Sequence, residues 1–385
     1  MGKKVIYFDN AATSGIKPPS VIKAICECIN KRNANPGRSG HSLSVKAVEI
    51  IYNCREKIGE LFNFDKTENI ILTKNATESL NIVINGILNT GDEVITTSME
   101  HNSVLRPLTY LKEKRRIKVT IINADLNGQI NPKNIYTSLT DKTKLIVITS
   151  ASNVTGTKMN IEKIREIAQS HNIKILLDAA QGAGTIKIDL KKSPFDFIAI
   201  TGHKHLFGPQ GTGALIIKNN EELEPLMFGG TGSQSEKIIH PDFLPDKYES
   251  GTLNTPGFAG LSAGIEFILD KKIENIIKYE KQLTDYLIKR LKEIEEITIY
   301  APDVDRVSTV SFNVNRFQPS EVADYLDKNY RICVRSGLHC APEAHKTINT
   351  FPNGTIRFSL SYFNTKEEID TSINALKSFI MKNKN

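Results

Sequence analysis

The sequence predicts an α/β fold, a mostly parallel sheet sandwiched by helices, with a smaller α+β domain towards the C-terminus. Three observations carry this expectation. Short β-rich runs alternate with helical stretches through the first two-thirds of the chain, the pattern of a parallel sheet built from strand–helix units. Several of those runs are nearly continuous Ile, Leu and Val, as strands covered on both faces must be. At 385 residues the chain is also long for a single core, which favours one large domain and one smaller one.

In order, strands are expected over 69–73, Glu93–Thr97, Lys118–Ile122, 144–149, Lys174–Asp178, Phe197–Thr201 and 212–217. Between them the apolar residues recur at helical spacing over 78–88, 103–113 and Ile161–Ser170. The final third changes character. Residues 257–270 and 273–294 read as long amphipathic helices, followed by short strands over 308–314, 332–334 and Thr355–Ser359 and a terminal helix from Lys366. Residues 228–257, rich in Pro and Gly, read as an irregular connection, and the polar tail 382–385 as a frayed end. The expected division is a large domain over 15–260, with 1–14 joining 261–385 in the small one.

Composition narrows the function. No apolar run approaches the ~20 residues that span a bilayer, and Met1-Gly2-Lys3-Lys4 opens too polar a segment for a secretory leader. Ile6 stands where a myristoylation signal needs Ser or Thr. A cytoplasmic location without membrane attachment is therefore expected. Five cysteines, an odd number in a chain large enough to have a core, argue against a disulfide framework. Cys26 and Cys28, in an expected helix, read as packing residues. The net charge of +7 is dispersed apart from Lys112-Glu113-Lys114-Arg115-Arg116, read as the solvated end of a helix. It suits an anionic cofactor or partner without pointing to nucleic acid, for which no direct binding is expected.

The strongest chemical signal is Thr201-Gly202-His203-Lys204-His205, directly after an apolar strand. A lysine closing a buried strand is costly unless its amine is neutral or covalently engaged. A Schiff-base lysine meets that need, and so does one that snorkels from the strand end. Upstream, Asp178 closes another apolar strand, ahead of Ala179-Ala180-Gln181-Gly182. A carboxylate at the carboxyl edge of a parallel sheet stands where such folds bind ligands. It can hold the proton on the ring nitrogen of pyridoxal 5′-phosphate, or simply cap the next helix.

Four more segments end strands or interrupt them. Lys74-Asn75-Ala76-Thr77 joins a strand to a helix, where free N–H groups and the helix dipole favour a phosphate; Thr77 is there either a phosphate ligand or an N-cap. His101, just past another strand end, is placed to stack on a planar cofactor and move protons. Arg335-Ser336-Gly337-Leu338-His339-Cys340-Ala341-Pro342 reads as a loop before a helix beginning at Pro342. The charges of Arg335 and His339 and the helix start would make Cys340 a reactive thiol, the alternative being an inert buried cysteine. His339, Cys340 and His345 lack a fourth ligand and regular spacing, so no metal site is expected. Arg357, inside an apolar strand, demands an anion: a substrate carboxylate held by its fork, or a structural acid. A nicotinamide enzyme is a weaker reading, because Gly208-Pro209-Gln210-Gly211-Thr212-Gly213 precedes a strand and lacks the helix that the dinucleotide fingerprint requires.

Taken in order, Tyr7-Phe8-Asp9-Asn10-Ala11-Ala12-Thr13, Arg38-Ser39-Gly40-His41, Asn75-Ala76-Thr77-Glu78, Glu100-His101-Asn102, Ser152-Asn153-Val154-Thr155-Gly156, Asp178-Ala179-Ala180-Gln181, Thr201-Gly202-His203-Lys204, Glu249-Ser250-Gly251-Thr252 and the loop from Arg335 to Pro342 give the chain a near full-length resemblance to the cysteine desulfurases, the class V aminotransferase branch of fold-type I pyridoxal-phosphate enzymes. The resemblance implies that Lys204 holds the cofactor, Asp178 pairs with its ring nitrogen and His101 stacks on it. Gln181 and Asn153 would serve its phenolic oxygen. Ala76, Thr77, Thr201 and His203 would bind the phosphate, joined by Thr252 from a partner subunit in a homodimer. Arg357, with Asn153, Arg335 and His41, would hold L-cysteine or L-selenocysteine, and Cys340 would take the sulfur as a persulfide and pass it to an acceptor protein. The short context of Cys340 resembles the Suf-type group, although Leu338 stands where that group often has a second histidine and the stretch 229–248 is shorter than its usual hairpin. A selenocysteine lyase or another class V enzyme would share every one of these residues except a working Cys340.

Overall fold

The structure is a computed structural model that describes residues 4–32, 34–37, 39–219 and 221–383. Arg38, the first three residues, and Lys384 and Asn385 of the polar tail lie outside the described residues. The chain opens with β1 (Ile6–Tyr7), α1 (Pro19–Lys31) and α2 (Ser42–Phe62). There follow β2 (Ile70–Thr73), α3 (Ala76–Ile87), β3 (Glu93–Thr97), α4 (Asn102–Lys114), β4 (Lys118–Ile122) and α5 (Pro132–Thr137). Then come β5 (Thr143–Thr149), α6 (Ile161–Ser170), β6 (Lys174–Asp178), β7 (Phe197–Thr201) and β8 (Gly213–Ile217).

These strands form one seven-stranded sheet in the order β2-β8-β7-β6-β5-β3-β4. Only β8 runs against its neighbours. The reason lies in its connection: β7 and β8 are joined by a turn without a helix, and a parallel return needs a crossover. The strand residues divide by alternation. Ile70, Ile146, Ile148, Ile175, Leu177, Ile198 and Ile216 face a core that includes α2, α6 and residues 258–276. Ile71, Leu145, Val147, Leu176, Phe197, Leu215 and Ile217 face the opposite core, under α3 and α4. Burying each such side chain is worth about 1.5–3 kcal/mol, so the sheet's orientation is strongly fixed.

Next, α7 (Thr255–Lys271) packs on α1 and α2, and α8 (Ile273–Lys292) leads away to a second core. The chain continues through β9 (Ile297–Ile299), β10 (Thr309–Val314), α9 (Pro319–Tyr330), β11 (Ile332–Cys333), β12 (Arg335–Gly337), α10 (Pro342–Thr347), β13 (Thr355–Ser359) and α11 (Lys366–Lys382), all but α10 grouped around that core. An antiparallel sheet in the order β12-β13-β10-β9 carries it, while β1 pairs in parallel with β11. Ile6 and Phe8 are therefore buried with Leu283, Phe312, Phe358 and Phe379 rather than with the large sheet. In contrast, Ala341, Ala344 and Ile348, just after Cys340, pack on the large sheet's core.

Three expectations need correction. Residues 335–337 form β12, paired with β13, because Gly354 lets the backbone at Gly337 approach closer than any side chain would permit. Cys26 is exposed on α1, whereas Cys28 is buried; two residues apart on a helix they face different ways, and only Cys28 packs. No helix was foreseen over Ser42–Phe62. Its exposed Val45, Val48 and Tyr52, beside the buried Ile51, Cys54 and Ile58, blur the apolar period. The basic run ends α4 as expected, with Lys112, Glu113 and Lys114 exposed. No described helix is long and apolar enough to cross a membrane.

Candidate active site

The carboxyl ends of β3, β5, β6 and β7 and the start of α3 deliver their next residues to one cavity of about 280 Å³, where a parallel sheet places ligands. Ala11 and Ala12 close it from the N-terminal segment, and Arg335, His339 and Arg357 from the second core. The cavity thus gathers Ala76, Thr77, His101, Asn153, Asp178, Gln181, Thr201, His203, Lys204, Arg335 and Arg357 from segments far apart in the sequence.

Lys204 lies half-buried on the loop after β7. Desolvation pulls its amine down from 10.5 to about 8, against the attraction of Asp178. At neutral pH the amine is still mostly protonated, but its uncharged, nucleophilic share, the state an imine-forming lysine needs, is far larger than in a free lysine. Asp178 is buried, and burial raises its carboxyl above the ordinary range while Lys204 pulls it back. One of its oxygens accepts the Ala180 N–H at 2.9 Å.

At the start of α3 the N-cap is Asn75, whose Oδ1 accepts the Glu78 N–H at 2.9 Å. Thr77 is therefore not the cap, and its exposed hydroxyl faces the cavity beside the first free N–H groups of a helix. His101 caps α4: its Nδ1 accepts the Ser103 N–H at 3.0 Å. With Nδ1 an acceptor, the ring proton sits on Nε2. Burial, followed by the nearby Lys204 and arginine charges, lowers this imidazole to about 4. The ring is neutral at pH 7, suited to stacking.

Arg335 and Arg357 stand directly opposite each other in the β12–β13 pair, a like-charge arrangement that costs energy without an anion between. Arg357 is wholly buried. Its Nη2 donates to Asp9 Oδ1 at 2.7 Å and its Nη1 to the Asn153 carbonyl at 2.9 Å. The structural acid is therefore Asp9; Nε nevertheless has no partner, and the residue lines the cavity. Asn153 spends its side-chain N–H on the His339 carbonyl at 2.7 Å.

Cys340 is exposed, in a tight turn closed by the Ala341 N–H on the Leu338 carbonyl at 2.9 Å. Both central residues, His339 and Cys340, hold left-handed backbone (φ +49° and +59°), which costs energy at non-glycine positions. Arg335 Nη2 points at the sulfur from 3.4 Å. The thiol faces a groove of about 530 Å³ that shares Thr77, His101 and Ser103 with the cavity. The expected help from His339 is corrected. Its ring is buried against Thr355, Nε2 to Oγ1 at 3.1 Å, and burial drives its pKa well below the ordinary value, so it brings no charge to Cys340.

Thr252 and His41 do not join the cavity of their own chain. Thr252 is exposed and accepts from Asn35 Nδ2 at 3.4 Å; His41 is exposed and caps α2. Sequence reasoning missed Asp9 as the partner of Arg357. The available signal was an acid directly after the apolar Tyr7-Phe8, in a segment too short to make a site alone.

Does this cavity fit pyridoxal phosphate? Gln181 Oε1, Thr201 Oγ1, His203 Nδ1 and Arg357 Nε are all buried without a hydrogen-bond partner. Each such group costs about 1–3 kcal/mol if left unpaired, so their convergence on one cavity calls for a polar ligand. An amine, a buried acid and a free helix start around them match the aldehyde, ring nitrogen and phosphate of that cofactor. The residues fit the group.

The comparisons agree with the geometry. The model of the family described as aminotransferase class-V matches residues 6–371, and the chain belongs to that family. A probable cysteine desulfurase of Methanothermobacter thermautotrophicus is 37% identical over 94% of this chain and 92% of its own. Another so described, from Borreliella burgdorferi, is 36% identical over 98% and 92%. Among solved structures, the apo form of a cysteine desulfurase from Thermococcus onnurineus superposes with a TM-score of 0.91 at 33% identity, covering 98% of this chain and 95% of that one.

Proposed function

We propose that Cys340 is the residue on which this protein collects sulfur from L-cysteine, with Lys204 holding the cofactor. The protein is a cysteine desulfurase of the pyridoxal-phosphate-dependent class V family, matched over nearly its full length by relatives of that description. When bound, pyridoxal phosphate supplies an electron sink for the electrons released at the substrate's α-carbon. Asp178 would hold the proton on the ring nitrogen, His101 would cover the ring, and Ala76, Thr77, Thr201 and His203 would take the phosphate. Gln181 and Asn153 would serve the phenolic oxygen.

Arg357, aided by Arg335, would clamp the substrate carboxylate. That clamp orients the α-proton towards the Lys204 amine, which with a pKa of about 8 can take a proton and return it near neutral pH. The Cys340 thiolate then attacks the substrate sulfur. The carbon–sulfur bond breaks, a persulfide remains on Cys340, and protonation of the three-carbon fragment gives L-alanine. The observation that carries this reading is the position of Cys340: exposed on a tight turn, contacted by Arg335, at the junction of the cavity and an open groove. That compact turn also supports a Suf-type assignment.

We read the active form as a homodimer in which Thr252 serves the partner's phosphate site; His41, exposed and outside the cavity of its own chain, would reach the substrate only in a partner's cavity. Val45, Val48 and Tyr52 leave an exposed apolar stripe on α2, and Val48 and Tyr52 flank a pocket with Gly251. The same reading assigns 15–260 to the cofactor domain and 1–14 with 261–385 to the domain bearing Cys340 and Arg357, supported by the second core that holds Ile6 and Phe8. The sulfur would then pass to an acceptor protein in the cytoplasm. The test is product analysis: L-cysteine should yield L-alanine in step with sulfide under reductant. An amino group transferred to a keto acid, without sulfide, overturns the reading.

A further inference from the structure

Glu100 precedes His101 and is wholly buried. Its Oε1 accepts the Thr97 hydroxyl at 2.7 Å and the Thr149 N–H at 2.9 Å. Its Oε2 is buried with no partner. These contacts tie the carboxyl ends of β3 and β5 at the level of the cavity, where Thr149 lies in register with Asp178 and the next residue after Glu100 is the cavity-wall histidine. Among the described residues the one charged group acting on Glu100 is Asp178, across from it on β6; Thr97 and Thr149 are neutral, and no cation answers its charge. A carboxylate there would be an unpaired buried charge next to a second one.

We propose that Glu100 is a positioning residue: a protonated carboxyl that braces the ends of β3 and β5, holds His101 at the cavity wall, and leaves Asp178 as the carboxylate that would serve the cofactor's ring nitrogen. Burial agrees, raising Glu100 from 4.5 to about 8. The inference rests on the cofactor reading above. It explains why an acid occupies a site where it acts as an acceptor and not as an anion. The brace needs the carbonyl-type oxygen Oε1; the cavity needs the charge absent.

The test compares the holoenzyme with Glu100→Gln and Glu100→Ala. Gln keeps the acceptor without any charge, so its affinity for pyridoxal phosphate in equilibrium dialysis stays within about twofold of wild type. Ala strands the Thr149 N–H, so affinity falls roughly tenfold, and the pH titration of the visible cofactor band shifts because His101 is no longer held. Equal losses in Gln and Ala overturn the proposal, because charge would then be required; so does an Ala variant that matches wild type in affinity and titration. Where Ala does not fold, the Gln arm decides. A native acid raised from 4.5 to about 8 loses stability as pH rises across that window. The melting temperature of Glu100→Gln relative to wild type should therefore climb from pH 5 to 8 and level above. A flat difference overturns the protonated state. A wild type that takes up no pyridoxal phosphate overturns the cofactor reading itself, a result distinct from all of these.

Discussion

The guanidinium of Arg357 is divided between two duties: Nη2 donates to Asp9 at 2.7 Å and Nη1 to the Asn153 carbonyl at 2.9 Å, while Nε is buried and unpaired. Asp9 holds the fork in place from one side; on the reading proposed above, the donor capacity left over would serve the substrate carboxylate. Because the side chain is only 1% exposed, its charge is desolvated and would bind a carboxylate strongly.

Arg357→Lys is accordingly expected to keep the cofactor and raise the apparent KM for cysteine at least tenfold, since a point charge cannot serve Asp9, Asn153 and the substrate together. A hydrogen bond to a charged group is worth roughly 1.5–3 kcal/mol, and at least one is lost. Steady-state kinetics beside cofactor absorbance checks this. An unchanged KM would make Arg357 purely the structural partner of Asp9.

Lys204 gives a prediction in pH. In the cofactor-free chain its amine titrates near 8 when folded and at the ordinary 10.5 when unfolded. Between those values the unfolded chain holds a proton that the native one lacks, so stability rises with pH across that window. Lys204→Met carries no such charge. The variant should melt above wild type by the largest margin below pH 8, and the margin should shrink towards pH 10. Borohydride reduction of the native holoenzyme should fix the cofactor on the peptide containing Lys204 and on no other.

Much of the large sheet was legible because its strands are buried on both faces and read as unbroken Ile, Leu and Val. Ile146–Ile148 and Ile198–Ile200 admit few other readings. The lysine, aspartate and histidine after those strands stood out for the same reason: a polar residue ending an apolar run needs a cause. What stayed hidden depends on tertiary context. Residues 335–337 become a strand only because β13 lies beside them. The Asp9–Arg357 pair spans nearly the whole chain. His339 looked like a charge beside Cys340, and only its burial against Thr355 removes it. Glu100 was visible as part of a motif, but its brace between two strand ends was not.

Thr252 is exposed in its own chain, held by a segment that Glu249 anchors through a buried pair with Arg55 at 2.5 Å. If the segment completes a partner's phosphate site, Thr252→Ala should weaken cofactor retention several-fold. Mixing it with Lys204→Ala should then restore a minority of sites with both residues intact, read as activity above either parent. A fully active monomer in sedimentation excludes this arrangement.

Cys340 separates a desulfurase from a generic class V enzyme, and its surroundings make the separation clean. Lys204, Asp178 and the start of α3 hold no bond to the thiol, so Cys340→Ser should fold, dimerise and stay yellow. The backbone there is fixed by the Ala341 to Leu338 turn and by the Asn102 N–H on the Cys340 carbonyl at 2.8 Å, neither of which needs sulfur. Desulfuration does need it, because a serine hydroxyl is too poor a nucleophile towards a neutral sulfur atom. Sulfide release should fall to a trace while cysteine still perturbs the cofactor spectrum. In the wild type, brief exposure to cysteine without reductant should add one sulfur atom to the peptide bearing Cys340, seen by mass spectrometry. Cys28 and Cys54 are buried, and burial raises both thiols, Cys54 to about 12; neither competes. Cys26, exposed on α1, is the internal control: it should stay unmodified, because it lines neither the cavity nor the groove at Cys340. Full sulfide production by Cys340→Ser, or sulfur found on Cys26 instead, would falsify the assignment.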